Sequence, residues 1–234
     1  MARILTKLGI AAACFAGLVW GQLGVAGDLA FFSGGAAYKM PVVTLKEARF
    51  RTVVKQRYDF SCGSAAIATL LTFHYNHTVT EQDVFTKMFA VGDQKTIRKE
   101  GFSLLDMKRY LATLGYRADG FRVNLDTVNR VKMPAIVLIS IRGYRHFVVV
   151  KGIKGDEVVV GDPAAGVKIY KRKDLEAIMA SDVIFLVRNR TRVAKRHFNE
   201  DRDWAVRTKA PFGTALTRDG LATFVSLLPG TNEF

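Results

Sequence analysis

The sequence predicts an α+β domain in which helices from the first half pack on one side of an antiparallel sheet built by the second half. Two observations carry this. Between about residues 61 and 115, apolar positions recur at helical spacing and are bounded by helix start and stop residues. Between residues 134 and 187 they collect instead into short β-branched runs bounded by Gly, Pro and Asp.

Taken in order, residues 1–26 read as a secretory signal peptide. Arg3 and Lys7 lead, Leu8 to Trp20 is apolar, and Gly24-Val25-Ala26 offers small residues for cleavage. An uncleaved anchor is one alternative; lipidation at Cys14 is another, at odds with the mid-run position of that cysteine. No later stretch reaches the roughly 18 apolar residues of a membrane span. Loss of the leader leaves 33 basic against 21 acidic residues, a net charge of +12. Such a surplus suits an acidic partner, an anionic membrane face or an acidic substrate segment. Nucleic acid is not an expected partner of an exported chain.

Residues 27–50 read as a lead-in arm. Its double glycine, Gly34-Gly35, has Phe32 and Leu29 three and six positions before the second glycine. A segment of this kind can extend into a narrow cleft; a flexible linker is the plainer reading. The domain proper is expected over 51–188. After Cys62, Ala65, Ala66, Ile67, Leu70, Leu71 and Phe73 form an apolar helical stripe. Thr80 and Ser103 are N-cap candidates with Asp83 and Asp106 three residues on, and Gly115 stops the second of those helices. PAIVLIS, HFVVVKG, EVVVGD, VKIY and VIFLV read as strands, interrupted by a short helix at KDLEAIMA. Residues 189–234 are expected to be a basic, partly mobile extension that serves contact rather than folding.

The chemistry centres on QRYDFSCGSAAIATLL. Without the leader, Cys62 is the chain's single thiol, in a compartment where cysteines normally come in pairs. A thiol attacks as thiolate, and a helix N-terminus is expected to lower its pKa. Gly63 is expected to let a substrate backbone come close. A buried, inert cysteine is the competing reading. Of the histidines that could serve as its base, His74 and His77 are expected at a solvated helix end, about 18 Å along the helix from Cys62 in the case of His74. His197 is expected to be exposed in the tail. His146 differs, because it opens a strand whose partner ends in Asp162-Pro163. A three-residue loop, Ile153-Lys154-Gly155, would set His146 directly opposite Asp162 on one face; a two-residue loop would put them on opposite faces. Asp162 could then orient the imidazole, although a strand-end histidine capped by a turn aspartate is equally ordinary. The Cys62 N–H and the Gln56 side chain are candidate donors to an oxyanion.

Gln56-x5-Cys62-Gly63, then His146-Phe-Val-Val-Val, then Asp162-Pro163 resembles the bacteriocin-processing, double-glycine cysteine peptidases of papain-like fold. The resemblance runs from about Val53 to Arg188. It implies a papain-like cysteine peptidase with Cys62 as nucleophile, His146 as general base, Asp162 orienting it and Gln56 completing the oxyanion hole, with no cofactor and no metal. Many members carry Asp where this chain has Ser61. Most familiar members precede an ABC exporter, whereas an exported peptidase resembles those encoded beside functional-amyloid secretion systems. The expected function is periplasmic processing of a secreted protein or peptide with small residues at the cleavage site, such as Gly-Gly. Secretion-system proteins are further expected partners. A papain-like cell-wall hydrolase or acyltransferase and a non-catalytic peptide-binding module of the same fold remain alternatives.

Overall fold

The computed structural model describes residues 28–33, 36–41 and 44–206. Residues 1–27, where the signal peptide is expected, Gly34-Gly35, residues 42–43 and the tail from residue 207 lie outside the described residues. One unit holds an antiparallel hairpin of β1 (Asp28–Ser33) and β2 (Ala36–Pro41), paired from Asp28↔Pro41 to Ser33↔Ala36. The rest of the description concerns the other unit, which begins at Leu45.

Its first half is helical, with α1 (Leu45–Phe50), α2 (Cys62–His74), α3 (Glu81–Val91), α4 (Gln94–Glu100) and α5 (Leu104–Thr113). The caps form as their chemistry requires. Thr80 accepts the Asp83 N–H, and Ser103 and Asp106 make a reciprocal capping box that satisfies two otherwise unpaired donors. α4 was not legible as a helix, although Asp93 caps it by accepting from Lys95 and Thr96. The expected stripe on α2 is instead a helix buried nearly all round. Its polar groups are matched locally, with Ser64 donating to the Ser61 carbonyl at 2.8 Å and Thr69 accepting the Val54 N–H at 2.9 Å.

The second half supplies β3 (Ala118–Arg122), α6 (Leu125–Val131), β4 (Ala135–Ile141), β5 (Tyr144–Lys154), β6 (Glu157–Asp162), β7 (Gly166–Lys171), α7 (Arg172–Ile178) and β8 (Met179–Val187). These strands form an antiparallel sheet in the order β3-β8-β4-β5-β6-β7, with the helices packed against it, so the architecture is α+β as expected. One core, including Ile67, Leu71, Met107, Phe147 and Val149, fills the space between α2 and the sheet. A second, including Val148, Val150, Val158, Val160 and Leu175, joins β5 and β6 to α6 and α7.

The β5–β6 hairpin departs from the expected register. Its loop is two residues, Gly155-Asp156, closed by Lys154↔Glu157. Gly155, at φ +58°, takes the first central position, where a type II′ turn wants glycine. By itself this loop would separate His146 and Asp162 onto opposite faces. A β-bulge at Lys151 inserts one extra residue on β5, so the pairing passes from Gly152↔Val159 to Val150↔Val160 and Val149↔Gly161. Continued, that register sets Val148 opposite Asp162 and His146 two residues along on the same face. The expected face was right; the loop behind it was not.

Residues 189–206 are not a loose extension. α8 (Thr191–Arg196) and α9 (Asp201–Trp204) pack on the domain, with Ala194, Phe198, Asp203 and Trp204 buried. His197 is only partly exposed and contacts Glu200. Its carbonyl accepts from Nδ1 of His74 at 2.8 Å. His74, expected in solvent, is therefore buried, and burial first, then the nearby Lys151 charge, holds its pKa well below the usual 6.5. His77 is half-buried, stacked on Tyr116 with its Nδ1 3.1 Å from the phenol oxygen. Among the described residues no helix is long and apolar enough to cross a membrane.

Candidate active site

Cys62 is the first residue of α2 and is only 6% exposed. Burial pushes its thiol above the usual 9.0. The N–H groups of Phe147, Gly63 and Cys62 itself oppose that rise, and the Asp162 charge adds to it. The expectation of a thiol lowered by its helix terminus is thus overturned for the resting protein, because desolvation outweighs the backbone donors. Gly63 is also explained differently from the expectation. A Cβ there would lie 2.9 Å from Phe102 Cβ and from Met107 Cε, so the glycine permits close packing of α2 rather than close approach of a substrate.

His146, near the start of β5, is 4% exposed. Its Nε2 lies 3.3 Å from Asp162 Oδ2 without hydrogen-bond geometry, and both ring nitrogens are buried with no hydrogen-bond partner among the described residues. Nε2 facing a carboxylate favours the tautomer with its proton on Nε2, which leaves Nδ1 as an acceptor. The Nε2 contact is long for a hydrogen bond, as such contacts commonly are before substrate binds.

Asp162, at the end of β6, is 2% exposed. Its Oδ1 accepts from the N–H groups of Ala164 at 2.9 Å and Ala165 at 3.2 Å, an Asx-type turn across Pro163. Its Oδ2 also faces Lys168 Nζ at 3.5 Å. Burial alone would raise this carboxyl. The His146 ring and its charge, the Ala164 N–H and Lys168 together hold it below the usual 3.8, so it is ionised at neutral pH.

Gln56 sits on the loop before α2, its N–H bound to the Pro163 carbonyl at 3.1 Å, which ties the cysteine loop to the Asp162 turn. Its side-chain Nε2 donates to the Tyr58 carbonyl at 3.1 Å, and its Oε1 is buried without a partner among the described residues. Serving an oxyanion would require Nε2 to exchange that partner.

Sequence reasoning missed Tyr144, Lys168 and the α4–α5 connection. The Tyr144 ring lies tilted against His146 with centroids 5.4 Å apart, and its hydroxyl donates to the Asp59 carbonyl at 2.6 Å, bridging to the Cys62 loop. The β4–β5 turn before it is Arg142-Gly143, both at positive φ, which fits the two-residue type I′ hairpin. Cys62 opens onto a cleft of about 950 Å³ whose walls include Gly101, Phe102, Leu138, Arg145 and Phe147.

A buried thiol at a helix start, a histidine with one nitrogen facing a carboxylate, and an adjoining cleft are the parts a cysteine peptidase requires. The chain belongs to the peptidase C39 family, whose model matches residues 51–191. It is 46% identical over 149 residues to the probable functional amyloid protease FapD of Pseudomonas aeruginosa, covering 64% of this chain and 66% of that protein. The Pseudomonas fluorescens protein of the same name is 46% identical over 144 residues, covering 62% and 64%. The chain thus spans just under two thirds of the length of these relatives. The lactococcin-G-processing and transport ATP-binding protein LagD of Lactococcus lactis is 32% identical over 52% of this chain and 16% of its own. Among solved structures, the peptidase domain of Streptococcus ComA superposes with a TM-score of 0.49 at 18% identity, over 58% of this chain and 96% of that one.

Proposed function

We propose that this chain is an exported cysteine endopeptidase that processes a secreted protein or peptide in functional-amyloid biogenesis. Cleavage falls after small residues such as Gly-Gly, and the site of action is the periplasm. The observation that carries the catalytic part is the buried His146 imidazole, with Nε2 3.3 Å from Asp162 Oδ2 and neither ring nitrogen hydrogen-bonded among the described residues, preceding in the chain the Phe147 N–H that faces the Cys62 thiol.

In the proposed mechanism His146 Nδ1 takes the Cys62 proton as sulfur adds to the scissile carbonyl. Because the resting thiol is protonated, substrate entry and proton transfer act together rather than starting from a preformed thiolate. Asp162 holds the ring and stabilises the imidazolium. The oxyanion takes the Cys62 N–H and the Gln56 amide. Collapse breaks the C–N bond, and the amine leaves with the proton from His146. Water then hydrolyses the thioester and restores thiol and imidazole.

The likeness to the FapD proteins, 46% identical, supports the amyloid setting. The test is cleavage of an amyloid precursor and of Gly-Gly peptides by the wild type and by Cys62→Ala. Cysteine-dependent cleavage after small residues supports the reading; equal cleavage by both proteins overturns it. A second reading, a peptide-binding module without turnover, draws on the thiol that burial keeps protonated. Saturable peptide binding with no cleavage by the wild type would favour it.

A further inference from the structure

The family model stops at residue 191, yet the next turns of chain grip the part of β5 that sets the His146–Asp162 register. β4 pairs with β5 only as far as Val150, so on that side the carbonyls of Lys151 and Ile153 have no strand to accept from. Asn199 supplies both donors. Its backbone N–H reaches the Lys151 carbonyl at 3.1 Å and its Nδ2 reaches the Ile153 carbonyl at 2.9 Å. Asn199 adopts φ +67°, a left-handed conformation that asparagine tolerates better than most residues. It lies so close that a Cβ on Gly152 would come within 2.9 Å of its Cα.

The bulged residue itself is held from the same segment. Lys151 is fully buried, and its Nζ contacts Asp203 Oδ1 at 2.6 Å and the Thr52 carbonyl at 2.7 Å. Asp203 is held in turn by Thr52 Oγ1 at 2.6 Å. On either side of the bulge, β5 and β6 pair in registers of opposite parity. Val150 and Val160 therefore share a core with Ile153 and Val158, where an unbulged strand would place Lys151 and Val149.

We propose that Asn199 and Asp203 are positioning residues for the catalytic pair: by pinning the Lys151–Gly152 bulge they keep His146 on the face of β5 that meets Asp162. The peptidase site of this chain thereby depends on a segment outside the family domain. The proposal rests on the catalytic reading of His146 and Asp162, and its test separates the two.

Gly152→Ala, which pushes Asn199 away, should lower kcat by about a hundredfold with KM within about twofold, since small misplacements of a catalytic group are costly. Asn199→Ala should lose about tenfold, and Asn199→Gly, which keeps the left-handed backbone and its N–H, should regain most of that. The readout that does not require turnover is imidazole NMR in the Cys62→Ala background, where His146 should show a single Nε2–H tautomer. Gly152→Ala and Asn199→Ala should convert it to a mixture while thermal unfolding stays cooperative. Folded variants with wild-type kcat and an unchanged tautomer would overturn the proposal. Should Gly152→Ala fail to fold, the Asn199 pair decides alone. A wild type that cleaves nothing defeats the catalytic reading, while the tautomer comparison still decides the clamp.

Discussion

Two buried side-chain pairs, each with an aspartate, start five residues apart on β5. Lys151 and Asp203 meet at 2.6 Å, and Lys151 also donates to the Thr52 carbonyl, while its Nζ lies 5.3 Å from the centre of the Phe73 ring. His146 and Asp162 meet at 3.3 Å, with neither ring nitrogen of His146 hydrogen-bonded among the described residues. Both pairs are almost wholly excluded from solvent. The first is saturated, the form in which a protein tolerates buried charge for structure. The second is incomplete, with neither ring nitrogen of His146 hydrogen-bonded, and an incomplete buried polar network costs stability that a packed core would not. The strand thus carries a closed pair for architecture and an open one for the proposed chemistry, and substitutions should separate the two.

The largest effect belongs to the open pair. Cys62→Ala should abolish peptide cleavage and His146→Ala should lower kcat by about 10⁴-fold or more, because such groups act as a unit. Asp162→Asn should keep measurable activity, having lost orientation rather than the nucleophile. Both active-site alanine variants should unfold near the wild-type midpoint in urea.

The closed pair should behave in the opposite way. Asp203→Ala leaves Lys151 charged and buried, and should cost about 3–5 kcal/mol in urea unfolding. Replacing both partners, Lys151→Met with Asp203→Leu, should recover most of that loss. A fully stable Asp203→Ala protein would show that the pair is not the anchor described here.

Next in size is Gln56. If its amide exchanges the Tyr58 carbonyl for the oxyanion, Gln56→Ala should lower kcat by about a hundredfold with little change in KM. A change confined to KM would make Gln56 a substrate-positioning or loop residue.

His74 offers a pH test away from the site. Its folded pKa is depressed below 6.5, so the unfolded chain binds a proton that the folded one refuses. Stability should be complete above about pH 6.5 and decline below it, with a slope approaching ~1.4 kcal/mol per pH unit. His74→Asn should flatten the decline between pH 6.5 and 5.

The smallest effect concerns Lys168, partly exposed at 3.5 Å from Asp162. Asp162 is depressed below 3.8, so its contribution is complete above that pH and is lost as pH falls through the lowered value. Lys168→Met should move that acid loss to higher pH, as followed by the tryptophan signal. An unchanged acid transition would show that the lysine is too well solvated to act.

Read alone, the amino-acid sequence determined the layered α+β plan, because helix caps, β-branched runs and turn glycines are local signals that tertiary contacts here reinforce. It also pointed to Cys62, beside Gly63, to Asp162, between Gly161 and Pro163, and to His146 near the start of a β-branched run. It did not determine the hairpin register, since the bulge at Lys151 answers to Asn199 and Asp203, some fifty residues away. Nor could it show that burial governs Cys62 and His74. A helix terminus is visible in a chain, whereas desolvation depends on everything packed against it. The sequence thus determined which groups are candidates for the chemistry, and only the tertiary structure decided the faces they share and the protons they hold, because register and desolvation are set by contacts between distant segments.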